Sequence, residues 1–428
     1  MSSKLCHRRE TCRLCGGSHL ELVLALTPTP PANAFVGENE LDEPQETFPL
    51  DVFFCEDCFH VQLLDVVDPA HLFENYVYVS GTSANFVRHF AEYAKLVASR
   101  YMSSKQDALV VDIGSNDGTL LRQFKEFGLR VLGIDPARDI AVGATKGGIE
   151  TKAAFFTSQM AESIRRDYGE AQIICANNVY AHADDLSDIT RGIRTLLSAD
   201  GVFVFEVSYL VDVYEKTLFD TIYHEHVAYH SVAPLKRFLA TQDMQLIAVE
   251  RVNSHGGSLR GVAQRLGGPC PVEQSVDVFI ARERALGLDR ALTYRKFARQ
   301  IDALRDDLRE VLKNLVEAGK SIAAFGAPAK ATTLMYHFDI GPDIIDFIVD
   351  DSPLKQGLYS PGMHIPVLPS SALYERKPDA VVILAWNFAE SIMKNHGAYL
   401  EHGGEFIVPL PTVARFGQVA RSSRPPAP

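Results

Sequence analysis

Several groups of residues in this chain have the types and spacing to do chemistry together. Cys12-Arg-Leu-Cys15 and Cys55-Glu-Asp-Cys58 are two Cys-x-x-Cys turns. Each turn presents two sulfurs, and four thiolates complete the tetrahedral shell of zinc, which leaves no open position for a catalytic water. The expectation is a closed, structural Zn2+ site, with a redox dithiol as the competing reading. Cys6 and His7 stand outside the paired spacing, and Cys175 and Cys270 are expected to be ordinary buried residues. A second group, Asp112-Ile-Gly-Ser-Asn-Asp-Gly118, follows an apolar run and precedes a helix-like stretch. Gly114 and Gly118 would let the backbone approach a ligand, with Asp112, Ser115, Asn116 and Asp117 around it. Asp135 ends the next apolar run, where an acid can bind both hydroxyls of a ribose. Asp117 would repel a pyrophosphate but suits an ammonium group, so S-adenosyl-L-methionine fits this loop better than a dinucleotide.

Other polar clusters belong at the same level. Asn177, Asn178 and His182 follow the run Ile173-Ile-Cys, at the carboxyl edge where open α/β sheets bind ligands. Tyr223-His224-Glu225-His226 is flanked by Asp220, Tyr229 and His230. So many titratable groups cannot all face an apolar core without costly desolvation, so they should be solvated or gathered in a site. Histidine is the commonest general base. A metal held by His224 and His226 competes with that reading, but His-Glu-x-x-His is absent. Ser254-His255-Gly-Gly-Ser-Leu-Arg260 offers His255 and Arg260 to a phosphate. Ala324-Phe-Gly-Ala-Pro-Ala-Lys330 sets amides and a lysine at a strand-to-helix junction, and Asp350-Asp351 closes a later strand. This C-terminal part reads as half a dinucleotide fold with one glycine where the fingerprint has three. Structural turns with solvated cations are the plainer reading of both segments. Trp386 is expected in the core.

The elements that must carry these residues read as α/β. Residues 108–113, 130–135, 171–176 and 201–206 are apolar strand-like runs separated by helical stretches, the pattern of a parallel sheet covered on both faces. Residues 245–252 and 258–265 follow with a short glycine-containing link and predict a terminal antiparallel pair. From Ile301 the positions Leu304, Leu308, Val311 and Leu315 form one apolar helical stripe that Gly319 stops. The expected organisation is a zinc-binding domain at 1–85, a central Rossmann-like sheet at 86–300, a C-terminal Rossmann-like domain at 301–415, and a disordered tail at 416–428.

Composition narrows the class. The 428 residues are 46% hydrophobic and 22% charged, which is ordinary for a globular chain. Lys plus Arg number 42 against 54 Asp plus Glu, a formal charge of −12. Such a chain gains little from phosphate-backbone contacts, so a nucleic-acid partner is not expected. No run reaches the ~18 apolar residues of a membrane span. The first residues lack the apolar stretch of a signal peptide. A cytoplasmic protein without a membrane or an obligate protein partner is expected.

In this order the motifs resemble those of the nucleotide-sugar C-methyltransferases of deoxysugar biosynthesis. The resemblance runs from Cys12-x-x-Cys15 and Pro31-Ala-Asn-x-Phe35 through Cys55-x-x-Cys58, Tyr76-x-Tyr78 with Ser80-Gly, and Asp112-Ile-Gly-Ser-Asn-Asp-Gly. It continues through Tyr223-His-Glu-His226, His255-Gly-Gly-Ser-Leu-Arg260, Gly326-Ala-Pro-Ala-Lys330 and Asp350-Asp-Ser-Pro-Leu-Lys-Gln-Gly357. It implies methylation by S-adenosyl-L-methionine of a TDP-linked keto-deoxysugar, with the sugar nucleotide held between the domains; the family varies in sugar and methylated carbon, and C3 of a 4-keto-6-deoxyhexose is the expected position. It also implies that Tyr223, Glu225 and His226 lie beside the sugar, and it brings Tyr78 and Ser80 to the substrate. His230 departs from the family, in which an aromatic residue is common there. In that chemistry His226 would remove the proton next to the ketone, Glu225 would orient it, and Tyr223, His182 and Tyr76 would donate to the enolate oxygen. Two rivals remain at this stage: a nicotinamide-dependent sugar-nucleotide oxidoreductase and a zinc-ribbon adaptor for RNA or protein.

Overall fold

The computed structural model describes residues 5–74, 79–82, 84–102, 107–254 and 256–417. Tyr76, Tyr78 and His255, all expected site residues, lie outside them, as does most of the expected tail. Phe416, which that tail included, instead ends a short strand, Ala414–Phe416.

The chain groups into two compact units. One comprises Met1–Val23, Asp51–Val213 and Glu225–Tyr294; the other comprises Leu24–Leu50, Tyr214–His224 and Arg295–Pro428. This grouping cuts across the three successive blocks read from sequence. A small N-terminal segment buries a smaller fraction of its surface than a larger domain does, so it gains by joining larger cores.

The first unit includes a group of N-terminal strands. β1 (Leu20–Thr29) and β2 (Phe48–Cys55) both run on past the unit's boundary, and β3 is Val61–Leu63. Helix α1 (Ala84–Tyr101) then leads into the main sheet. Its parallel strands are β4 (Leu109–Ile113), β5 (Arg130–Asp135), β6 (Thr151–Ala153), β7 (Ala171–Asn177) and β8 (Leu197–Ser208), with helix α2 (Thr119–Glu126) after β4. β9 (Ala228–Tyr229) pairs with β3. The expected antiparallel pair is β10 (Met244–Val252) and β11 (Ser258–Arg265). The sheet order is β10-β11-β8-β7-β4-β5-β6. Strand β6 carries no apolar run (Thr-Lys-Ala), so periodicity does not reveal it. The core on one face joins Val110, Ile173, Val202, Val204 and Val262 to Tyr93, Leu121 and Phe124.

Helix α3 (Ala291–Glu317) begins ten residues before the expected stripe. In the second unit β12 (Ile322–Phe325), helix α4 (Ala329–Phe338), β13 (Ile348–Val349), β14 (Val367–Leu368), β15 (Ala380–Ile383), β16 (Glu405–Val408) and β17 (Ala414–Phe416) form a sheet in the order β14-β13-β12-β15-β16-β17. Only β17 is antiparallel to its neighbour among the described strands. In both sheets the first strand is followed by strands on one side and then the other. That reversal opens a crevice at the carboxyl ends, between β4 and β7 and between β12 and β15.

Candidate active site and metal centre

The two Cys-x-x-Cys turns fold alike. Gly16 N–H donates to Cys12 O and Cys12 N–H to Gly17 O, while Phe59 N–H donates to Cys55 O and Cys55 N–H to His60 O. These knuckles bring the four sulfurs within 4.8 Å of one another, with Cys12 Sγ–Cys58 Sγ and Cys15 Sγ–Cys55 Sγ both 3.6 Å. A tetrahedral ion with Zn–S of about 2.3 Å needs sulfurs about 3.8 Å apart, so the donor set fits zinc. Shared hydrogen bonds push the Cys12 thiol down and those of Cys55 and Cys58 up, so the four act as one coupled group; a bound metal would hold all of them as thiolates. No other metal-ligand group of this kind occurs among the described residues, and His224 and His226 do not form one.

Sequence reasoning overlooked Arg13, between the first two ligands. It is buried, and its Nη1 donates to Gln62 Oε1 (3.1 Å), Leu63 O (2.8 Å) and Val227 O (2.6 Å), while Nη2 lies 3.3 Å from Asp184 Oδ1. Burial lowers its pKa to about 10, and Asp184 counters part of that. The metal knuckle is therefore tied to the residue next to His226.

At the crevice of the main sheet, Gly114 (φ +71°) and Gly118 (φ +77°) take conformations that L side chains resist. A Cβ on Gly114 would meet Val179 Cγ2 at 2.2 Å, so the loop after β4 packs directly on the loop after β7. Asp135 accepts Asn116 N–H (2.8 Å) and Ala137 N–H (2.9 Å), and each oxygen keeps a lone pair for a ribose hydroxyl. Asp117 accepts Thr119 N–H (3.1 Å) and Thr119 Oγ1–H (2.6 Å), starting α2, and also Gly81 N–H (3.1 Å). Ser80 N–H donates to Asn116 Oδ1 (2.9 Å), which places Ser80, expected at the substrate, against the cofactor loop. Asp112 Oδ1, Ser115 Oγ and both amide atoms of Asn177 are buried without a hydrogen-bond partner among the described residues. Such atoms are costly unless a ligand or water meets them, so the crevice suits a polar cofactor. Burial and the neighbouring Asp135 push Asp112 up to about 8.

The third group lies on the loop leaving β7 and on the bend before β9. His182 N–H closes a turn on Val179 O, and Val227 and Ala228 both donate to Ala181 O. These bonds set the His182 and His226 rings 4.9 Å apart, with Phe73 stacked 5.5 Å from His182. Glu225 is buried, and His226 is half-buried. Tyr223, half-buried, and His224 belong to the second unit, because the division falls after His224. The expectation that this cluster would be solvated or catalytic is corrected in part. His224 is buried, with Nε2 3.1 Å from Phe48 O, and His230 is buried, with Nε2 3.0 Å from Tyr180 O. Burial lowers both to about 4, so they are neutral packing residues, each with one ring nitrogen on a backbone carbonyl and Nδ1 buried without a partner among the described residues.

Two expected phosphate ligands are already engaged. Arg260 is buried, with Nε 2.7 Å from Glu206 Oε1 and Nη1 2.7 Å from Glu250 Oε1, over the Tyr93 ring. Cross-strand register puts Glu206, Arg260 and Glu250 side by side, so this guanidinium is a sheet ion pair and not an open anion site. Lys330 lies 3.5 Å from Asp220 Oδ2 and 4.0 Å above the Trp386 ring, while Trp386 Nε1–H donates to the same carboxylate (2.6 Å). It is a matched cation, not a free one. Trp386 is buried as expected, and so is Cys175, whereas Cys270 is half-buried.

Comparison with known proteins agrees with this geometry. Residues 12–73 match the family model of a zinc binding domain, 86–249 a methyltransferase domain, and 253–411 a C-methyltransferase C-terminal domain. The chain is 35% identical over 402 residues to the C-methyltransferase NovU of Streptomyces niveus, covering 94% of this chain and 96% of that protein. Among solved structures, it is similar at 14% identity and TM-score 0.31 to the magnesium protoporphyrin IX methyltransferase of Synechocystis with bound SAM, over 42% of this chain and 78% of that one. It is similar at 10% identity and TM-score 0.34 to an S-adenosylmethionine-dependent methyltransferase of Clostridium acetobutylicum, over 43% and 92%. The oxidoreductase and adaptor readings are set aside. With a relative of this identity along almost its whole length, the chain belongs to the S-adenosylmethionine-dependent C-methyltransferases that carry a zinc binding domain.

Proposed function

We propose that this enzyme methylates C3 of a TDP-linked 4-keto-6-deoxyhexose, working in the cytoplasm without a protein partner. The observation that carries the reading is the His182–His226 pair, 4.9 Å apart, with His182 on the loop that packs against Gly114. A carbon is a nucleophile only after it loses a proton, and a ketone beside it makes that loss feasible. His226 takes the proton, a contribution of roughly 10²–10⁴-fold. The electron pair moves to the carbonyl oxygen, where His182, Tyr223 and Tyr76 are the candidate donors; one such donor is worth roughly 2.7–4 kcal/mol. Glu225 holds the imidazole in orientation. When bound, the cofactor would supply a methyl on sulfonium, with S-adenosylhomocysteine as the leaving group, and the site would hold it in line with the enolate carbon. Asp112, Ser115, Asn116, Asp117, Asp135, Asn177 and Asn178 would hold that cofactor. In the second unit, Lys330 at the start of α4 is proposed to face the nucleotide. Tyr78 and His255 are proposed at the substrate as well.

The test has two arms. Mass spectrometry on a panel of TDP-keto-sugars should find a product 14 mass units heavier; if no keto-sugar is methylated, the substrate reading is wrong. His226→Asn should lose both methyl transfer and solvent deuterium exchange at the sugar carbon while still binding the cofactor. If exchange survives at the wild-type rate, another residue is the base.

A further inference from the structure

A histidine in α1, absent from every motif above, points to a device that holds the cofactor loop in place. His89 Nε2–H donates to Glu206 Oε2 at 2.9 Å. Glu206 is buried at the carboxyl end of β8, where its other oxygen receives Arg260 Nε. Burial alone would raise its pKa, but the His89 hydrogen bond and the Arg260 charge outweigh burial and keep it below the usual range. Glu206 is also the register partner of Asn177, and its carbonyl accepts Asn178 N–H at 2.8 Å. It therefore sits under the asparagine corner of the cofactor crevice. Five residues before His89, about 7 Å along the axis, α1 begins at Ala84. The single turn just ahead of it, Ser80–Thr82, is the one whose Ser80 and Gly81 amides donate to Asn116 and Asp117.

We propose that His89 and Glu206 are positioning residues for S-adenosylmethionine. Their hydrogen bond docks the first turns of α1 on the carboxyl end of β8 and so holds the strap 79–82 across the Gly114–Gly118 loop. A short loop with left-handed glycines samples many shapes, and two side chains of that loop are fixed by amides of the strap. Preorganising them lowers the ordering cost of binding. The inference rests on cofactor binding by the family, not on the identity of the sugar.

The experiment measures S-adenosylmethionine binding by calorimetry on the zinc-loaded full chain. His89→Ala should raise Kd about tenfold or more, the size of one hydrogen bond to a charged group, with kcat at saturating cofactor within about twofold of wild type. His89→Gln, which can still donate, should recover most of the affinity. A purely structural role would lower the melting temperature of both variants and leave Kd unchanged, and that result overturns the proposal. Should both variants misfold, hydrogen–deuterium exchange on the wild-type enzyme decides. Saturating cofactor should protect amides 84–90, and unchanged exchange there refutes the coupling.

Discussion

Replacing Asp112 with Asn should change how cofactor binding depends on pH. Asp112 is buried at the end of β4, one oxygen lacks a partner among the described residues, and its pKa is pushed up to about 8 by burial first and by Asp135 second. An acid whose folded pKa exceeds its unfolded value binds its proton more tightly when folded. The cofactor-free enzyme therefore loses stability as pH climbs from about 4 towards about 8, a cost near 4 kcal/mol at pH 7 for this one group. The sulfonium and ammonium of the cofactor reverse the balance, because a nearby cation favours the carboxylate. At pH 7 a group with that pKa is about nine-tenths protonated, so binding should expel about 0.9 of a proton, and affinity should climb nearly tenfold between pH 6 and pH 7. Calorimetry in two buffers of different ionisation enthalpy reads the proton count directly. Asp112→Asn keeps the shape, removes the titration, and should abolish both the released proton and the pH slope. Equal proton release from the two proteins would refute the reasoning.

Two other outcomes follow from the geometry. Arg260→Ala leaves the buried Glu206 carboxylate with His89 as its remaining partner and should cost about 3 kcal/mol of stability, read as a lower melting temperature. A selective rise in KM for the sugar nucleotide with unchanged melting would restore the anion-site reading. Chelating the metal should impair methyl transfer and not merely loosen the N-terminal strands, because Arg13 and β3 hold Val227 and β9 beside His226; full activity of the metal-free enzyme would contradict that link.

Much of the active centre was legible because its chemistry is local. Cys12, Cys15, Cys55 and Cys58 had to converge, since two knuckles are each set by a few backbone bonds. The loop from Asp112 to Gly118 needed only its own glycines and the strand before it. His89, Glu206 and Arg13 gave no such signal. A histidine in an amphipathic helix and an arginine between two cysteines look like surface residues until the partner arrives from far along the chain. Arg260 misled for the same reason: its neighbours Glu206 and Glu250 lie on different strands, and only the register of β8, β11 and β10 makes them adjacent.

The linear order of residues determined the alternation of strands and helices, the thiolate metal site and the glycine loop, since periodicity and short-range turns are written in consecutive positions. Tertiary packing alone decided which histidines are buried on backbone carbonyls and which are brought together at the carboxyl end of the sheet. His224 and His226 stand two residues apart with the same side chain. The first is buried beside Phe48 with its pKa driven to about 4, and the second rests beside His182 at the cofactor edge. Burial and partner, set by the whole fold, assign each imidazole its role.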